Sequence, residues 1–394
     1  MNRSRVPTVL ILAALFLAAL SLLAASFSVE VGGAEWETAV LANDTVGFAQ
    51  VAAGKQVHVV ARTESGLEHW TREGALRELG LRSDFKAREI SDRESAGSYA
   101  SLETVSGVPM VAYQYAEVGS ERVRLAEWNG SDWNISSVTG ERGLNAGMHT
   151  ELSSVAGKPV VLYTDDADED LTAATKTESG WSKRDLESGS GAFTDAESCG
   201  NTAKLAYSTR GNYTVRIGTL SQESWSSRTL NLSATSLDLA VGNGCSVFLA
   251  GYSGDRNNVF VWNGSTTRVD GSLFSRVSAG YTDTDFQVLY GEKNSGVRIG
   301  SPSSGYTKLG GSRAQYNDVA FQNGNRYAAY TNGSELVFAE HNTEIPENRG
   351  LVLKVIRALL AAAAILAAAG IVYSSDNVRD RARDLVPERL RTTP

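Results

Sequence analysis

The sequence is poor in the side chains that most often bind metals and form covalent crosslinks. Its 394 residues contain two cysteines and four histidines. His58, His69 and His341 show no ligand spacing with one another or with the cysteines, so a zinc site has little support. No glycine-rich phosphate loop follows a strand, and no Ser-His-Asp arrangement is visible. The sequence therefore offers no recognisable catalytic set, and an enzyme is the less favoured class.

Basic charge is scarce as well. The formal net charge is −8, and residues 27–350 alone carry 28 basic and 41 acidic side chains, a net charge of −13. Nucleic-acid-binding proteins show a basic footprint, so this balance excludes DNA and RNA as expected partners. Arginine outnumbers lysine by 28 to 9. An acidic, lysine-poor surface is what we expect of a protein living in high salt, as in a halophilic archaeon.

Short apolar runs that end in an aromatic or long residue recur along the chain. Their last residues are 51, 50, 44, 45, 38 and 40 positions apart. A period of about 40 to 50 residues with β-type alternation in each unit indicates a β-propeller. The seven runs are VHVVAR (57–62), VPMVAY (108–113), KPVVLY (158–163), TAKLAY (202–207), VFLAGY (247–252), DFQVLY (285–290) and NRYAAY (325–330).

Each unit reads as four antiparallel strands, A to D, but the seventh unit lacks its fourth strand. The segment WETAVL at residues 36–41 matches the missing strand and would close the ring without an exposed edge. We therefore predict an all-β fold, a seven-bladed β-propeller of four-stranded blades over residues 34–342. The least certain unit is the first, because residues 76–90 are poorly patterned.

Two apolar segments flank this array. Residues 1–27 read as either a cleaved signal peptide or a signal anchor, because the apolar part, 7–27, is long enough to cross a bilayer. After a linker at 343–350, residues 351–373 read as a transmembrane helix, with a buried alanine-rich helix as the alternative. The tail at 374–394 is rich in arginine, which favours the cytoplasmic side. We expect a protein of the cell membrane with the propeller outside.

An external domain permits glycosylation and a disulfide. Seven Asn-X-Ser/Thr sequons are predicted glycosylation sites, although turns are rich in asparagine anyway. Cys199 and Cys245 occupy almost equivalent places in consecutive units and either form a bridge or, through a one-residue offset, point apart. The seven sequons begin at Asn43, Asn129, Asn134, Asn212, Asn231, Asn263 and Asn332.

The third unit resembles a known family. Its stretch PVVLYTDDADEDLTAATKTESGWSKRDL, residues 159–186, is similar to the repeat of sialidase-like β-propellers, with an aromatic after strand B and Gly-Trp before strand D. The resemblance covers residues 34–342. It implies the fold and, as one alternative, a glycan hydrolase. The Ser-X-Asp-X-Gly-X-X-Trp box of sialidases is absent, and their catalytic residues have no matching positions here.

Propellers bind ligands where the D–A connections and B–C turns meet around the channel. Four arginines fall in D–A connections and would match an oxyanion: Arg93, Arg142, Arg276 and Arg313. His149 and Tyr99 begin A strands near the same mouth. In the third B–C turn, Asp166, Asp168 and Asp170 are candidate ligands for Ca²⁺, although the spacing lacks the usual glycine and glutamate. Solvated side chains are the alternative in each case.

The expected function is therefore that of a membrane-anchored extracellular propeller, which binds or scaffolds a surface protein or a glycan. A sialidase-like cell-surface glycan hydrolase is the alternative. The tryptophans around the C–D turns are expected to pack between blades rather than to bind sugar.

Overall fold

The repeats fold into seven antiparallel sheets of four strands each. The structure, a computed structural model, describes residues 36–72, 86–91, 96–117, 120–140, 146–165, 170–254, 256–269, 273–282, 284–292, 296–310, 314–322 and 324–341. Both predicted membrane segments lie outside these residues. Within them, no helix is long and apolar enough to cross a membrane.

The first four blades follow the chain in order, with strand A innermost and strand D outermost. Blade 1 contains β2 (Thr45–Ala53), β3 (Val57–Thr63), β4 (Gly66–Arg72) and β5 (Lys86–Ser91). Blade 2 contains β6 (Ala100–Val105), β7 (Val108–Glu117), β8 (Ser120–Trp128) and β9 (Trp133–Ser137). Blade 3 contains β10 (Ala146–Val155), β11 (Lys158–Asp165), β12 (Asp170–Thr177) and β13 (Gly180–Glu187). Blade 4 contains β14 (Ser190–Cys199), β15 (Thr202–Thr209), β16 (Thr214–Leu220) and β17 (Trp225–Ser233).

The last three blades complete the circle. Blade 5 contains β18 (Ser236–Val241), β19 (Val247–Ser253), β20 (Asn258–Trp262) and β21 (Thr266–Val269). Blade 6 contains β22 (Leu273–Tyr281), β23 (Phe286–Glu292), β24 (Gly296–Ser301) and β25 (Gly305–Gly310). Blade 7 contains β26 (Ala314–Gln322), β27 (Asn325–Asn332), β28 (Glu335–His341) and the first strand of the chain, β1 (Glu37–Ala42). The prediction of seven four-stranded blades is confirmed, and β5 supplies the fourth strand of the poorly patterned first unit.

Blade 7 is closed by the N-terminal strand, as predicted. Strand β1 pairs antiparallel with β28, from Glu37 opposite Glu340 to Ala42 opposite Leu336. A buried ion pair crosses the same junction, because Arg72 of blade 1 donates from Nη2 to Glu340 Oε2 at 3.1 Å. Removing one partner of such a pair leaves an uncompensated buried charge, which is strongly destabilising. Hydrogen bonds and charge therefore both fix the place where the circle closes.

Blade junctions explain why the repeats are recognisable in sequence. Neighbouring residues of a strand point to opposite faces of its sheet. In β11, Val161 joins the apolar cluster between blades 2 and 3, whereas Leu162 joins the cluster between blades 3 and 4. Because both faces of the strand are buried, the strand reads as a continuous apolar run rather than as an alternation.

The predicted role of the tryptophans in packing is confirmed. Trp128 and Trp133 of blade 2 lie 5.2 Å apart between ring centroids. In blade 4, the Trp225 ring covers Gly218 of the neighbouring strand so closely that a Cβ there would lie 2.1 Å from the ring. A glycine in this strand therefore provides the space that the tryptophan fills.

Candidate functional site

The first strands of the blades pack against one another around the axis and enclose a cavity of about 310 Å³. These strands run from the face that carries the D–A connections and B–C turns towards the opposite face. We call the end of the cavity on the face with the D–A connections and B–C turns the mouth. Two layers of side chains, two residues apart on the same strands, define the site.

The deeper layer has one residue from each blade, which we call the bridge position. Six of these residues precede the last residue of the apolar run in strand B by 12 positions, and the one in blade 5 precedes it by 14 because its A–B turn is longer. The bridge positions hold Gln50, Ser101, Glu151, Asp195, Asp238, Ser278 and Asp318.

Six of the seven bridge side chains connect their inner strand to the next blade. The backbone N–H of Leu102 donates to Gln50 Oε1 at 2.5 Å, and the N–H of Ala279 donates to Asp238 Oδ2 at 2.5 Å. The N–H of Val51 donates to Asp318 Oδ2 at 2.9 Å and so spans the closure between blades 7 and 1.

Blades 2 and 4 show the same contact, whereas Glu151 of blade 3 accepts the hydroxyl of Ser101 in the preceding blade and the N–H of the adjacent Leu152. The N–H of Leu152 donates to Ser101 Oγ at 2.9 Å, and the N–H of Leu239 donates to Asp195 Oδ2. The hydroxyl of Ser278 donates instead to a neighbouring bridge side chain. These bonds satisfy backbone groups that the ladder of a single blade leaves unpaired.

Two further acids follow the bridge position by two residues and therefore face the same way. Glu197 accepts the N–H of Val241 at 2.6 Å, and Glu103 accepts the N–H of Thr104 at 3.0 Å. All six acids line the cavity and are half-buried. We call them the channel acids: Glu103, Glu151, Asp195, Glu197, Asp238 and Asp318.

Burial is the main cause that raises the pKa values of the channel acids, and repulsion between neighbouring carboxylates adds to it. The pKa of Glu103 rises to about 7, and the pKa of Asp318 rises to about 6. Burial also raises the pKa values of Glu151, Glu197 and Asp238 well above their usual range. At neutral pH the cavity therefore retains protons and carries fewer than six negative charges.

The outer layer lies two residues before the bridge position, at the mouth. Phe48, Tyr99, His149, Phe193 and Tyr316 form a series of ring contacts, with centroid distances of 5.6 Å from Tyr316 to Phe48, then 5.9, 5.0 and 5.2 Å. Blade 6 contributes Arg276, whose Cζ lies 4.4 Å from the centroid of the Phe48 ring. We call these six side chains the collar. Blade 5 has Ser236 at this position.

Three collar residues adopt a backbone conformation that non-glycine residues rarely occupy. Phe48, His149 and Phe193 have φ values of 39°, 51° and 50°. In each case the pairing of strands A and B shifts register around the collar residue, which is the mark of a β-bulge. Bulges redirect side chains and are frequent beside functional sites. Left-handed backbone at such residues costs roughly 1 kcal/mol or more, so the repeated strain indicates a function for the collar.

The collar has more aromatic than ionic character at neutral pH. Burial lowers the pKa of His149 to about 4, and the charges of Arg276 and Arg210 act in the same direction. The imidazole is therefore neutral at pH 7 and does not titrate near neutrality. The Phe193 ring contacts the ring of Tyr213, in the B–C turn of blade 4, at a centroid distance of 6.0 Å. Tyr213 is exposed, so this contact extends the aromatic series towards solvent.

The structure brings three of the predicted ligand-binding residues together. Tyr99, His149 and Arg276 all belong to the collar, whereas Arg93, Arg142 and Arg313 lie outside the described residues, as do Asp166 and Asp168. Asp170 begins β12 and accepts the N–H of Gly189 at 3.1 Å. In the described part of the chain, no group of three acidic, histidine or cysteine side chains has an arrangement that would hold a metal ion. The calcium site stays a prediction.

The disulfide and the sequon asparagines do not line the cavity. Cys199 and Cys245 form a disulfide between the A–B turns of blades 4 and 5, with a Cα–Cα distance of 5.7 Å. Six of the predicted glycosylation sites have exposed asparagines, and Asn332 is half-buried because it also donates to Glu335. Asn212 precedes Tyr213 and is therefore the sequon beside the collar.

Sequence reasoning missed three collar residues and all six channel acids. Phe48, Phe193 and Tyr316 each precede the last residue of the apolar run by 14 positions, as Tyr99, His149 and Arg276 do. Aligning the seven units on that residue would have shown both layers. This repeated position was not recognised because the acids lie in strands that are otherwise apolar, and acids in strands are usually interpreted as facing solvent.

Comparison with known proteins supports the fold and does not assign a family. No family model matches the chain, and no curated protein matches it. Raptor from Chaetomium thermophilum is similar at 13% identity with a TM-score of 0.51, over 79% of this chain and 29% of that one. The Hadza microbial sialidase Hz136 is similar at 9% identity with a TM-score of 0.45, over 74% of each chain.

A lectin with the same kind of fold is also similar. The Aleuria aurantia lectin matches at 12% identity with a TM-score of 0.46, over 68% of this chain and 98% of that one. At these identities the likeness shows the fold alone. It is consistent with the sialidase-like resemblance of the repeats at the level of architecture.

Proposed function

We propose that this protein is a binding module that takes a glycan at the mouth of its propeller. The observation that carries the proposal is the collar, in which blades 1, 2, 3, 4 and 7 each direct an aromatic ring to the mouth and three of the blades distort their backbone to do so. Binding sites are typically concave, mostly apolar cavities of about 300–1,000 Å³ with a few polar groups. At about 310 Å³ the cavity matches the lower end of that range in volume, and its wall is more polar than is typical.

A glycan fits this surface better than a protein segment does. Sugar rings present apolar C–H faces beside polar hydroxyl edges. The collar offers aromatic faces, and the bridge layer beneath it offers carboxyl, amide and hydroxyl oxygens within one cavity. An oligosaccharide entering the mouth would therefore find both kinds of contact, and the exposed ring of Tyr213 would extend the surface outward.

The membrane location of the module is part of the proposal. The apolar segments at 7–27 and 351–373 would anchor the chain, with the propeller and its sequons outside the cell. Protease added to intact cells should then cut the propeller and leave an epitope at residues 379–391 protected. An epitope that is accessible from outside would contradict this topology.

Glycan binding is tested by screening the full-length chain in detergent on an array of oligosaccharides. The variants Phe193→Ala and Phe48→Ala should lose at least about tenfold in affinity for any sugar found, which corresponds to about 1.4 kcal/mol. Ile135→Ala is the matched control, because Ile135 is an exposed apolar residue on β9. Equal losses in the control and the collar variants, or no binding to any sugar, would contradict the proposal.

A glycan hydrolase is the second candidate, favoured by the raised pKa values of the channel acids. Glycosidases use one protonated carboxyl and one carboxylate across the scissile bond, and Glu103, with a pKa of about 7, would be protonated in part at neutral pH. Incubation of the sugar found on the array with wild type and Glu103→Gln distinguishes the two functions. Release of a product by wild type alone would support hydrolysis, and an intact sugar with both proteins would exclude it.

A further inference from the structure

The collar already holds a positively charged group. The Arg276 guanidinium carbon lies 4.4 Å from the centroid of the Phe48 ring and 6.0 Å from that of Tyr316. An aromatic face attracts a cation within about 6 Å of its centroid. Burial lowers the pKa of Arg276, and the charges of Glu151 and Asp238 oppose that shift. One cation thus lies against the aromatic wall and interacts favourably with acids of the layer below.

The cavity beneath the collar is a place for a second cation. The channel acids begin two residues deeper on strands that rise about 3.3 Å per residue, so they lie roughly 7 Å below the collar. Between described residues, the ion pairs join other side chains, such as Arg72 with Glu340 and Lys176 with Glu127, and none includes a channel acid. The negative charge of the cavity is balanced by retained protons.

These two layers select the charge of a ligand. An anionic group would meet Arg276 at the opening, but the six acids behind it would repel anything that enters further. A cationic group would first contact the aromatic faces and then reach carboxyl oxygens. A primary ammonium has three N–H donors, and a wall of carboxyl and amide oxygens from several blades would satisfy them.

We propose that the ligand enters with a positively charged amino group, which passes the collar and is held by the channel acids beneath it. This inference rests on the proposed function and makes the glycan an amino sugar with a free, unacetylated amine. The collar packs on the sugar ring, and Asp238, Glu151 and Glu103 accept hydrogen bonds from the ammonium. Arg276 competes with that amine for the same aromatic and acidic surroundings.

The test compares two trisaccharides that differ only in acetylation of their amines. Calorimetry of the full-length chain in detergent at pH 6 uses the β-1,4-linked trimer of glucosamine and, as the matched neutral probe, the trimer of N-acetylglucosamine. We expect the amino trimer to bind at least about tenfold more tightly. Equal binding of both trimers would overturn the inference and leave the proposed function intact. Binding of neither, with no sugar found on the array, would overturn both.

Variants test whether the group bound at the site is positively or negatively charged. Arg276→Ala should raise affinity for the amino trimer about threefold or more, because a competing cation is removed. Asp238→Asn and Glu103→Gln should lower that affinity at least about fivefold. Glu127→Gln is the control, because Glu127 pairs with Lys176 away from the cavity. A large loss of binding in Arg276→Ala would overturn the inference and point to an anionic group.

The protons released on binding can be measured with wild type alone, so this readout does not depend on whether the variants fold. An ammonium bound among partly protonated carboxyls favours their ionised forms, so binding should release protons. Titrations of wild type at pH 6 in phosphate and in Bis-Tris, which have different ionisation enthalpies, should give different observed enthalpies in the direction of proton release. Identical enthalpies in the two buffers would contradict a cation placed among the channel acids.

Discussion

The two layers of the channel lie on the same seven strands, yet they relate to the fold in different ways. Bridge side chains accept backbone N–H groups of the next blade, as Asp238 does for Ala279 and Asp318 for Val51. Collar side chains contact one another, and Phe48, His149 and Phe193 require a strained backbone. The bridge layer therefore stabilises the ring, whereas the collar costs stability, a contrast that we expect if the collar is the binding surface proposed above.

Removing β1 should have the largest effect, because both layers depend on a closed circle. Deletion of residues 36–41 from the full-length chain would leave the outer edge of β28 unpaired and expose the junction that Arg72 and Glu340 share. We expect the melting temperature to fall by more than about 10 °C, since a loss of 1 kcal/mol shifts a domain of about 300 residues by roughly 1.5 °C and several kcal/mol are lost here. Differential scanning calorimetry measures it.

A deletion of equal length at residues 28–33 is the control for removing β1. It shortens the segment before β1 and leaves the pairing with β28 in place. Equal melting temperatures for the two deletions would show that the ring does not depend on the N-terminal strand.

Loss of a bridge side chain should be the next largest effect. Asp195→Ala leaves the N–H of Leu239 without its acceptor, and an unsatisfied buried donor costs about 1–3 kcal/mol. Chemical denaturation should show that loss, with little change for Glu223→Ala, whose side chain is exposed in a turn of the same blade. Should both variants unfold at the same denaturant concentration, the bridge would carry no stability.

The channel acids should also make stability depend on pH. The pKa of Glu103 is raised to about 7 and that of Asp318 to about 6, so the folded state favours their protonated forms. The resulting stabilisation is complete below about pH 4 and is lost as pH rises through 6 and 7. His58 and His149, with pKa values lowered to about 4, act in the opposite direction as pH falls from 6.5.

Melting temperatures measured between pH 5 and pH 8 test this balance. Because six acids outnumber two histidines, we expect the melting temperature to decline towards pH 8. The double variant Glu103→Gln and Asp318→Asn should decline less steeply than wild type. A wild-type curve that rises over the same interval would contradict the expected protonation of the cavity.

Changes in the collar should have the smallest effect on stability. Phe193→Gly removes a left-handed phenylalanine and an aromatic contact together, so the two effects partly offset each other. We expect the free energy of unfolding to change by less than about 1 kcal/mol, against about 3–5 kcal/mol for Phe338→Ala, whose ring is fully buried. Similar losses in the two variants would make the collar part of the core and remove the contrast between the layers.

The blades were predictable because their strands are buried on both faces. Runs such as the one at 158–163 stand out from polar turns, and the closing strand could be found because the seventh unit was one strand short. The channel could not be predicted in the same way. An acid such as Asp195 lies between apolar neighbours, and its environment depends on six other blades that are distant in sequence.

The collar was predicted in part. Tyr99 and His149 were singled out because they begin inner strands near the mouth. Arg276 was assigned to a D–A connection, and that placement was wrong, because Arg276 lies within β22. Phe48 and Phe193 were missed, because their left-handed φ values arise from bulges that no local signal marks. A phenylalanine at the start of a strand is interpreted as a core residue unless the register of the neighbouring strands is known.

The closure by β1 also sets the timing of folding during synthesis. Glu37 pairs with Glu340, so the strand made first has no partner until almost the whole propeller has been made. At roughly 5–20 residues per second, translation of the intervening residues takes on the order of 15–60 s. For that time β1 has no strand to pair with, and Leu41 and Ala42 can contact only the blade 1 members of their apolar cluster. The N-terminal strand therefore needs protection while the ribosome completes the ring, and delay at this step would leave an open array prone to pairing with another chain.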